Sequence, residues 1–379
     1  MLYSQGSRAL SRWLRASLGA AVLLGLGAQE PTPPQAPPAP PPGLLPLTVL
    51  AEIDPADPPV RSAVLHEGLV LLLTGNGVVE AFGSSNGEPL WKLGFPGEPL
   101  LAPRYLPEKI LLSSGNGTLF LVLASSGEIS EKLSVGTPLA LGPWLAGGTL
   151  FLATPEGAVV AYDWSGRKER WRTETGESIR NLALGGERLL VSGGQRTLTA
   201  LDRASGAVSW RLRARGAFEA PAIFDQEAGR IYVGDTAGDF YCLEAENGEI
   251  RFRWETGAAI ESPVLLEPEH VFVVSFANTL FAYRPGNGHL LWRANLPGRP
   301  AGPAVRVAGR IAVATLNGYV VEFDAQTGKP GSAPYSAPEE ILAQPSFQPP
   351  LVALTLRTGR VLLLKTGSPP PESKETSPH

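Results

Sequence analysis

Eight glycines, Gly87, Gly127, Gly166, Gly206, Gly248, Gly288, Gly328 and Gly367, mark the chain at intervals of 40, 39, 40, 42, 40, 40 and 39 residues. One unit is repeated eight times. A period near 40 leaves room for four short strands per copy, and no segment carries a sustained helical period. That is the layout of a β-propeller blade. The chain is expected to be all-β: an eight-bladed β-propeller of four-stranded antiparallel blades. Residues 260–296 show the unit as four runs of strand length, IESPVLL, VFVVSF, TLFAY and HLLWRANL, separated by Gly, Pro, Asn and Glu.

A second marker runs in phase with the glycines. Ala63, Pro103, Pro143, Leu182, Pro221, Pro263, Pro303 and Pro345 recur at one site, and six of the eight are proline within an apolar run. Proline has no N–H to give a ladder, so it is tolerated in an edge strand and not in a central one. This run is expected to be the inner edge strand, the one that lines the central channel.

Each unit ends in an eleven-residue pattern, Ala-x-Asp-x-x-x-Gly-x-x-x-Trp, clearest at Ala200, Asp202, Gly206 and Trp210. Ala81, Gly87 and Trp91 repeat it, as do Ala282, Gly288 and Trp292; Ala161, Asp163 and Trp171 match with the glycine one place early at Gly166. The pattern resembles the PQQ-like, or quinoprotein-type, propeller repeat. The resemblance covers about residues 46–368 and implies that the tryptophan docks on the glycine-bearing segment of the neighbouring blade. Some copies depart from it: Leu121 and Glu131, Cys242 and Phe252, and Glu322 and Ser332 stand in the alanine and tryptophan places, and the turn at Gly367 is shortened.

Counting strands predicts how the ring closes. After Gly367 the chain continues Ser-Pro-Pro-Pro-Glu, which cannot form a fourth strand. Residues 46–53 (PLTVLAEI) precede the first inner strand at the interval expected of an outer strand, so an N-terminal strand is expected to complete the last blade and lock the ring.

The ends of the chain read differently from the repeats. Residues 1–28 have the form of a secretory signal: Arg8, Arg12 and Arg15, then the apolar stretch Leu18–Leu26, then small residues to Ala28. The uncharged stretch from Ala16 to Ala28 is shorter than the roughly 20 residues needed to span a bilayer. An exported protein of the periplasm or cell envelope is expected, with cleavage after Ala28 or Gly27. Residues 29–45 form a Pro-rich tether, residues 46–368 the propeller, and residues 369–379 a tail read as disordered. The net charge of −4 becomes −7 without the three leader arginines, which disfavours a nucleic-acid partner.

Catalytic motifs are weak. Cys242 is the single cysteine, so there is no intrachain disulfide or cysteine zinc cluster, and no cysteine near the leader's end to carry a lipid. Its place at the repeat's alanine site predicts a buried, inert thiol. The stretch Gly83-Ser84-Ser85-Asn86-Gly87 spells a hydrolase elbow, but it falls at a strand-to-strand turn and not at the strand-to-helix turn that such chemistry needs. His66, His270, His289 and His379 are scattered and read as exposed strand ends. Catalytic and metal residues are therefore expected to be none.

One place supports a ligand hypothesis. Arg61, Arg180, Glu219 and Glu261 each stand two residues before an inner-strand marker, and by strand alternation they face the channel. In PQQ-dependent dehydrogenases the axial region holds the quinone with a calcium ion, so the resemblance makes these four the candidate cofactor residues of an enzymatic alternative. The structural reading is a solvated mouth with ion pairing between the two signs. The chain lacks the larger loop insertions and the cysteine pair expected of such enzymes.

The preferred reading follows a second resemblance, in size, blade number and export, to the family of BamB, a component of the outer-membrane β-barrel assembly machinery. That family implies a non-catalytic interaction scaffold without a cofactor, whose partner is an envelope or outer-membrane protein. With no lipid-anchor cysteine, membrane association would run through a partner or an uncleaved leader. The alternatives are a PQQ-binding or other small-ligand quinoprotein enzyme, and an extracellular sensor or structural propeller.

Overall fold

The computed structural model describes residues 43–56, 60–96, 98 and 100–367. The leader at 1–28, the tether up to residue 42 and the tail beyond residue 368 lie outside the described residues. Those described form eight four-stranded antiparallel sheets and no helix, arranged as an eight-bladed propeller. Blade 1 is the meander Val60–His66, Leu69–Thr74, Val78–Gly83 and Pro89–Gly94, and the same order repeats along the chain.

Burial follows from the stacking of blades. Second and third strands are covered on both faces by neighbouring blades and are buried along almost their whole length, as in Leu69–Thr74 and Val271–Ser275. They therefore read as continuous apolar runs and not as alternating ones. Eight core clusters result among the described residues, each built from two adjacent blades. One joins Ile53, Val60 and Ala63 to Ala353, Val361 and Leu363, so the last blade packs on the first and the ring is closed.

Closure uses the N-terminal strand, as the strand count requires. Leu47–Ile53 pairs antiparallel with Val361–Thr366 and completes blade 8. It even copies the local geometry of the other outer strands. Each complete outer strand carries a one-residue bulge just before its docking position, at Leu90, Ser130, Arg170, Ser209, Arg251 and Leu291. Leu50 makes the same bulge in the N-terminal strand. Bulges re-aim a side chain, and here they aim the next residue at the neighbouring blade.

The chain enters the ring earlier than the end of the tether at residue 45. Leu44 and Leu45 are buried, and their N–H groups donate to the Glu322 carboxylate at 2.8 and 3.3 Å. Glu322 also pairs with Arg310 at 3.4 Å. Blade 7 has Glu322 and Ser332 in the alanine and tryptophan places, and its outer strand is only Tyr335–Ser336. The N-terminal segment thus fills the seam that lacks a tryptophan.

Three expectations need adjustment. The prolines do not lie within the inner strands but just ahead of them: Pro103 precedes Arg104–Leu106, and Pro221 stands two residues before Ile223–Asp225. Lacking an N–H, proline cuts the inner strand to two or three residues; where Ala63 and Leu182 replace it, that strand runs for seven. At the third glycine marker the left-handed conformation belongs to Arg167 (φ 48°) and not to Gly166. Gly367 is no hairpin glycine; its N–H donates to Pro46 O at 2.7 Å, at the seam with the N-terminal strand.

Candidate functional site

The inter-blade staple implied by the repeat is present. A Cβ added at Gly127, Gly206, Gly248 or Gly328 would lie 2.5 to 2.7 Å from ring atoms of Trp91, Trp171, Trp210 or Trp292 of the preceding blade. All four glycines have φ between 68° and 76°, so both the turn and the ring's approach require glycine there. The indole Nε1–H of each tryptophan donates to a carbonyl of the same turn, at Ala124, Arg203, Ala245 and Ala325, over 2.8 to 3.2 Å.

Degenerate copies carry substitutes. Where Glu131 replaces the tryptophan, Arg167 replaces the glycine, and the two form an ion pair at 2.7 Å. Where Phe252 has no N–H to offer, the Tyr232 hydroxyl donates instead to Pro285 O at 2.8 Å. At the seam between blades 8 and 1, Ala51 faces Gly87. With no indole there, a cleft of about 590 Å³ opens, lined by Ile53, Phe82, Leu90, Trp91, Glu80 and Lys92 among others. The cleft is a missing staple before it is anything else.

The four channel candidates are placed at inner-strand starts or in the connections before them. Arg61 and Arg180 stand in Val60–His66 and Ile179–Gly185, while Glu219 and Glu261 each precede a short inner strand by four residues. Arg180 Nε lies 3.6 Å from Glu219 Oε1, so two of the four are brought together across blades 4 and 5. Arg61 and Glu261 remain exposed and make no ion pair among the described residues. Calcium takes six to eight oxygen ligands, whereas this rim offers two glutamates from different blades, one already held by an arginine. Among the described residues no group of three or more His, Cys, Asp or Glu is positioned to hold a metal ion. The donor set does not fit a quinone-bound calcium.

A polar cluster that the sequence reading missed lies at the second-to-third-strand turn of blade 5. Asp235 and Asp239 are both fully buried. Asp235 accepts N–H bonds from Gly216 and Asp239 at 2.9 Å each, and Asp239 accepts from Arg215 Nε at 2.7 Å. The Tyr241 hydroxyl lies 3.1 Å from both carboxylates. Burial, reinforced by the two charges, pushes the Tyr241 phenol up, and the Asp239 bond raises the Arg215 guanidinium. With every carboxylate satisfied, the cluster ties the blade 5 turn to its neighbouring connection. The available signal was Asp235 standing where other copies have Thr74, Ser114, Thr154, Ser275 and Thr315.

Other candidates are inert or shielded. Cys242 is buried, and desolvation pushes its thiol up to about 11. His270 is not an exposed strand end: it is buried, stacks on Phe272 with centroids 5.3 Å apart, and desolvation lowers its pKa. His66 reaches Leu106 O at 3.2 Å. Exposed cations occupy one register of the outer strands in six successive blades, at Lys92, Lys132, Arg172, Arg211, Arg253 and Arg293. Charged residues at mid-edge discourage pairing with another strand, and in the N-terminal strand that place is held by Glu52.

Blade number, repeat unit and staple define the class: an eight-bladed propeller of PQQ-like repeats whose blades are locked by ring-on-glycine contacts. A family model described as outer membrane protein assembly factor BamB matches residues 75–226 and 222–329, and the chain belongs to that family. It is 26% identical over 268 residues to the outer membrane protein assembly factor BamB of Bordetella pertussis, covering 65% of this chain and 64% of that protein. It is also 23% identical over 230 residues to the tetrathionate hydrolase of Acidithiobacillus ferrooxidans, covering 60% of this chain and 42% of that protein. The chain thus spans less than two thirds of the length of these curated relatives. The crystal structure of BamB from Moraxella catarrhalis superposes with a TM-score of 0.66 at 16% identity, covering 84% of this chain and 99% of that one. The WD40 domain of Sif2 superposes with a TM-score of 0.70 at 12% identity, covering 85% and 99%. These structural likenesses show the fold.

Proposed function

We propose that the protein is a non-catalytic scaffold of the cell envelope that engages a protein partner through its turns and connections. Membership in a family described as an outer-membrane assembly factor carries this reading. The economy of the chain supports it. No connection between strands from Leu47 to Thr366 exceeds ten residues, so there is no long insertion to wall off a reaction chamber. The cationic outer edges of blades 1 to 6 favour recognition through the rims over strand addition. Export is the part of the proposal that rests on the leader, and the partner is an envelope or outer-membrane protein.

The test is crosslinking from a photoreactive residue placed on each of the two rims, at positions such as Ser178 on one and Ser205 on the other, in cells, followed by identification of the adduct. An adduct with one outer-membrane protein is expected. Crosslinking to no envelope protein from either rim would contradict the proposal. The relative titled tetrathionate hydrolase keeps an enzymatic reading in view. Calorimetry that detected micromolar binding of PQQ with calcium, lost on replacing Arg61 and Glu261 by alanine, would favour the quinoprotein alternative.

A further inference from the structure

The start of the second strand faces the end of the third across each sheet, and blade 6 differs from its neighbours there. Arg188 stands opposite Asp202 in blade 4, Arg230 opposite Glu244 in blade 5 and Arg310 opposite Asp324 in blade 7, a permanent cation facing an acid each time. In blade 6 Val271 pairs with Tyr283, so the same register sets His270 opposite Arg284. Blade 6 has exchanged the cation for a group whose charge depends on pH, and the acid for an arginine. Like charges directly opposite each other destabilise a sheet.

The His270 ring is placed as a neutral group. The residue is only 4% exposed, no hydrogen bond reaches its ring among the described residues, and the ring lies on Phe272 at an interplanar angle of 8°. Its backbone is held separately: Glu267 N donates to His270 O at 2.8 Å and His270 N to Glu267 O at 3.3 Å. The side chain can therefore move while the strand stays. It has room, because His270 lines a cleft of about 590 Å³ together with Glu269, Arg284, Leu291 and Gln326. That cleft borders the seam between blades 6 and 7. Leu291 and Gln326 adjoin Trp292 and Ala325, whose 3.1 Å hydrogen bond staples the seam, and the Phe272 ring that carries His270 lies 5.7 Å from the Trp292 ring.

We infer that His270 is a proton-operated latch on the seam between blades 6 and 7: neutral, it lies on Phe272 and backs the Trp292 staple; protonated, it leaves Phe272 for the cleft and loosens the staple. In the closed position an imidazolium would be a buried cation with no acceptor, which is costly. The charged groups around it act in both directions. Glu267 and Glu269 of its own turn favour the proton, while Arg306 of blade 7, which pairs with Glu267 at 3.4 Å, opposes it. Arg284 across the sheet opposes it as well. Burial is the largest influence and lowers the His270 pKa, so the closed form holds at neutral pH and opens on acidification. Turned into the cleft, the imidazolium meets water and the exposed Glu269. The latch does not depend on the scaffold reading.

The test is an NMR pH titration of the full chain from about pH 7.5 to about pH 5, following the His270 ring carbon Cε1 and the Trp292 indole N–H, with far-UV circular dichroism to confirm that the blades stay folded. Both signals are expected to move with one shared midpoint below about 6.5. In His270→Phe the Trp292 signal should stay still over the same range. Arg284→Asp restores the acid that faces the cation in blades 4, 5 and 7, and should raise the His270 midpoint by about one pH unit. A titration of His270 that leaves the Trp292 indole unmoved, or a midpoint at or above about 6.5, would overturn the latch. So would a Trp292 signal that still titrates in His270→Phe, or a midpoint unchanged in Arg284→Asp.

Discussion

Trp210 and Gly248 give the sharpest test of the staple, because the structure says how their substitutions must interact. Trp210 is buried, packs in a cluster with Leu190, Ala222 and Leu243, and donates to Ala245 O at 2.9 Å. Trp210→Ala should cost about 3 to 5 kcal/mol, the range for large aromatic truncations in a packed core. Gly248→Ala should cost about 2 to 5 kcal/mol. Its φ of 74° adds roughly 1 to 2, and a Cβ 2.6 Å from the indole adds an overpacking cost of about 1 to 3. In the double variant the indole is gone and only the backbone strain remains. The double should therefore be less destabilised than the sum of the singles by about 1 to 3 kcal/mol. Guanidinium titrations of the four proteins by far-UV circular dichroism read this directly. Additivity within about 0.5 kcal/mol would refute the contact as the source of both losses.

Ser332→Ala, at the tryptophan place of the seam filled by residues 43–45, should change stability by less than about 0.5 kcal/mol in the same titration. Ala51→Trp should fill the cleft beside Gly87 and stabilise by about 0.5 to 2 kcal/mol; a loss instead would show that the cleft is not an empty staple. The acid limb should report the turn caps: hydrogen bonds from Gly166, Ser205 and Thr327 lower the pKa values of Asp163, Asp202 and Asp324. Their contribution is present above the unfolded carboxylate pKa, near 3.9, and is lost as pH falls through the folded values. Asp324→Ala should flatten that limb in a pH series of unfolding midpoints. Burial depresses the His270 pKa, so the unfolded chain binds that proton more readily and stability should fall as pH drops below about 6.5. His270→Phe should reduce that slope, and an unchanged slope would assign it to other groups.

Much of this architecture was legible because a repeat reports its own period. Blade number follows from the intervals and the N-terminal closing strand from the strand count, while the docking role of Trp210 came from the resemblance to the PQQ-like repeat. What escaped was local and relational. Gly166 looked like the marker glycine, but the partner across the seam is Glu131, and an ion pair with Arg167 does what an indole on a glycine does elsewhere. The prolines gave the inner edge correctly, yet their missing N–H acts as a boundary and not as an interior feature of the strand. His270 seemed exposed because the sequence does not show that Phe272 covers it. Asp235 and Asp239 sit in a Gly-containing turn that reads as solvated, and only the approach of Arg215, Gly216 and Tyr241 makes them a buried cluster. The channel candidates shared a register, but register alone does not converge side chains: Arg180 found Glu219, while Arg61 and Glu261 found no comparable partner among the described residues.

The central claim is that one closed ring, sealed by the N-terminal strand, holds every rim and seam in place. The direct measurement compares the full chain with a chain beginning at residue 55 by equilibrium unfolding, with a peptide of residues 43–56 added in trans. Loss of Leu47–Ile53 leaves Val361–Thr366 unpaired along its outer edge and uncovers the cluster shared by blades 8 and 1. The truncated chain should lose its single cooperative transition, and the peptide should restore it. A truncated chain that unfolds with the same midpoint and cooperativity as the full one, indifferent to the peptide, would contradict the account.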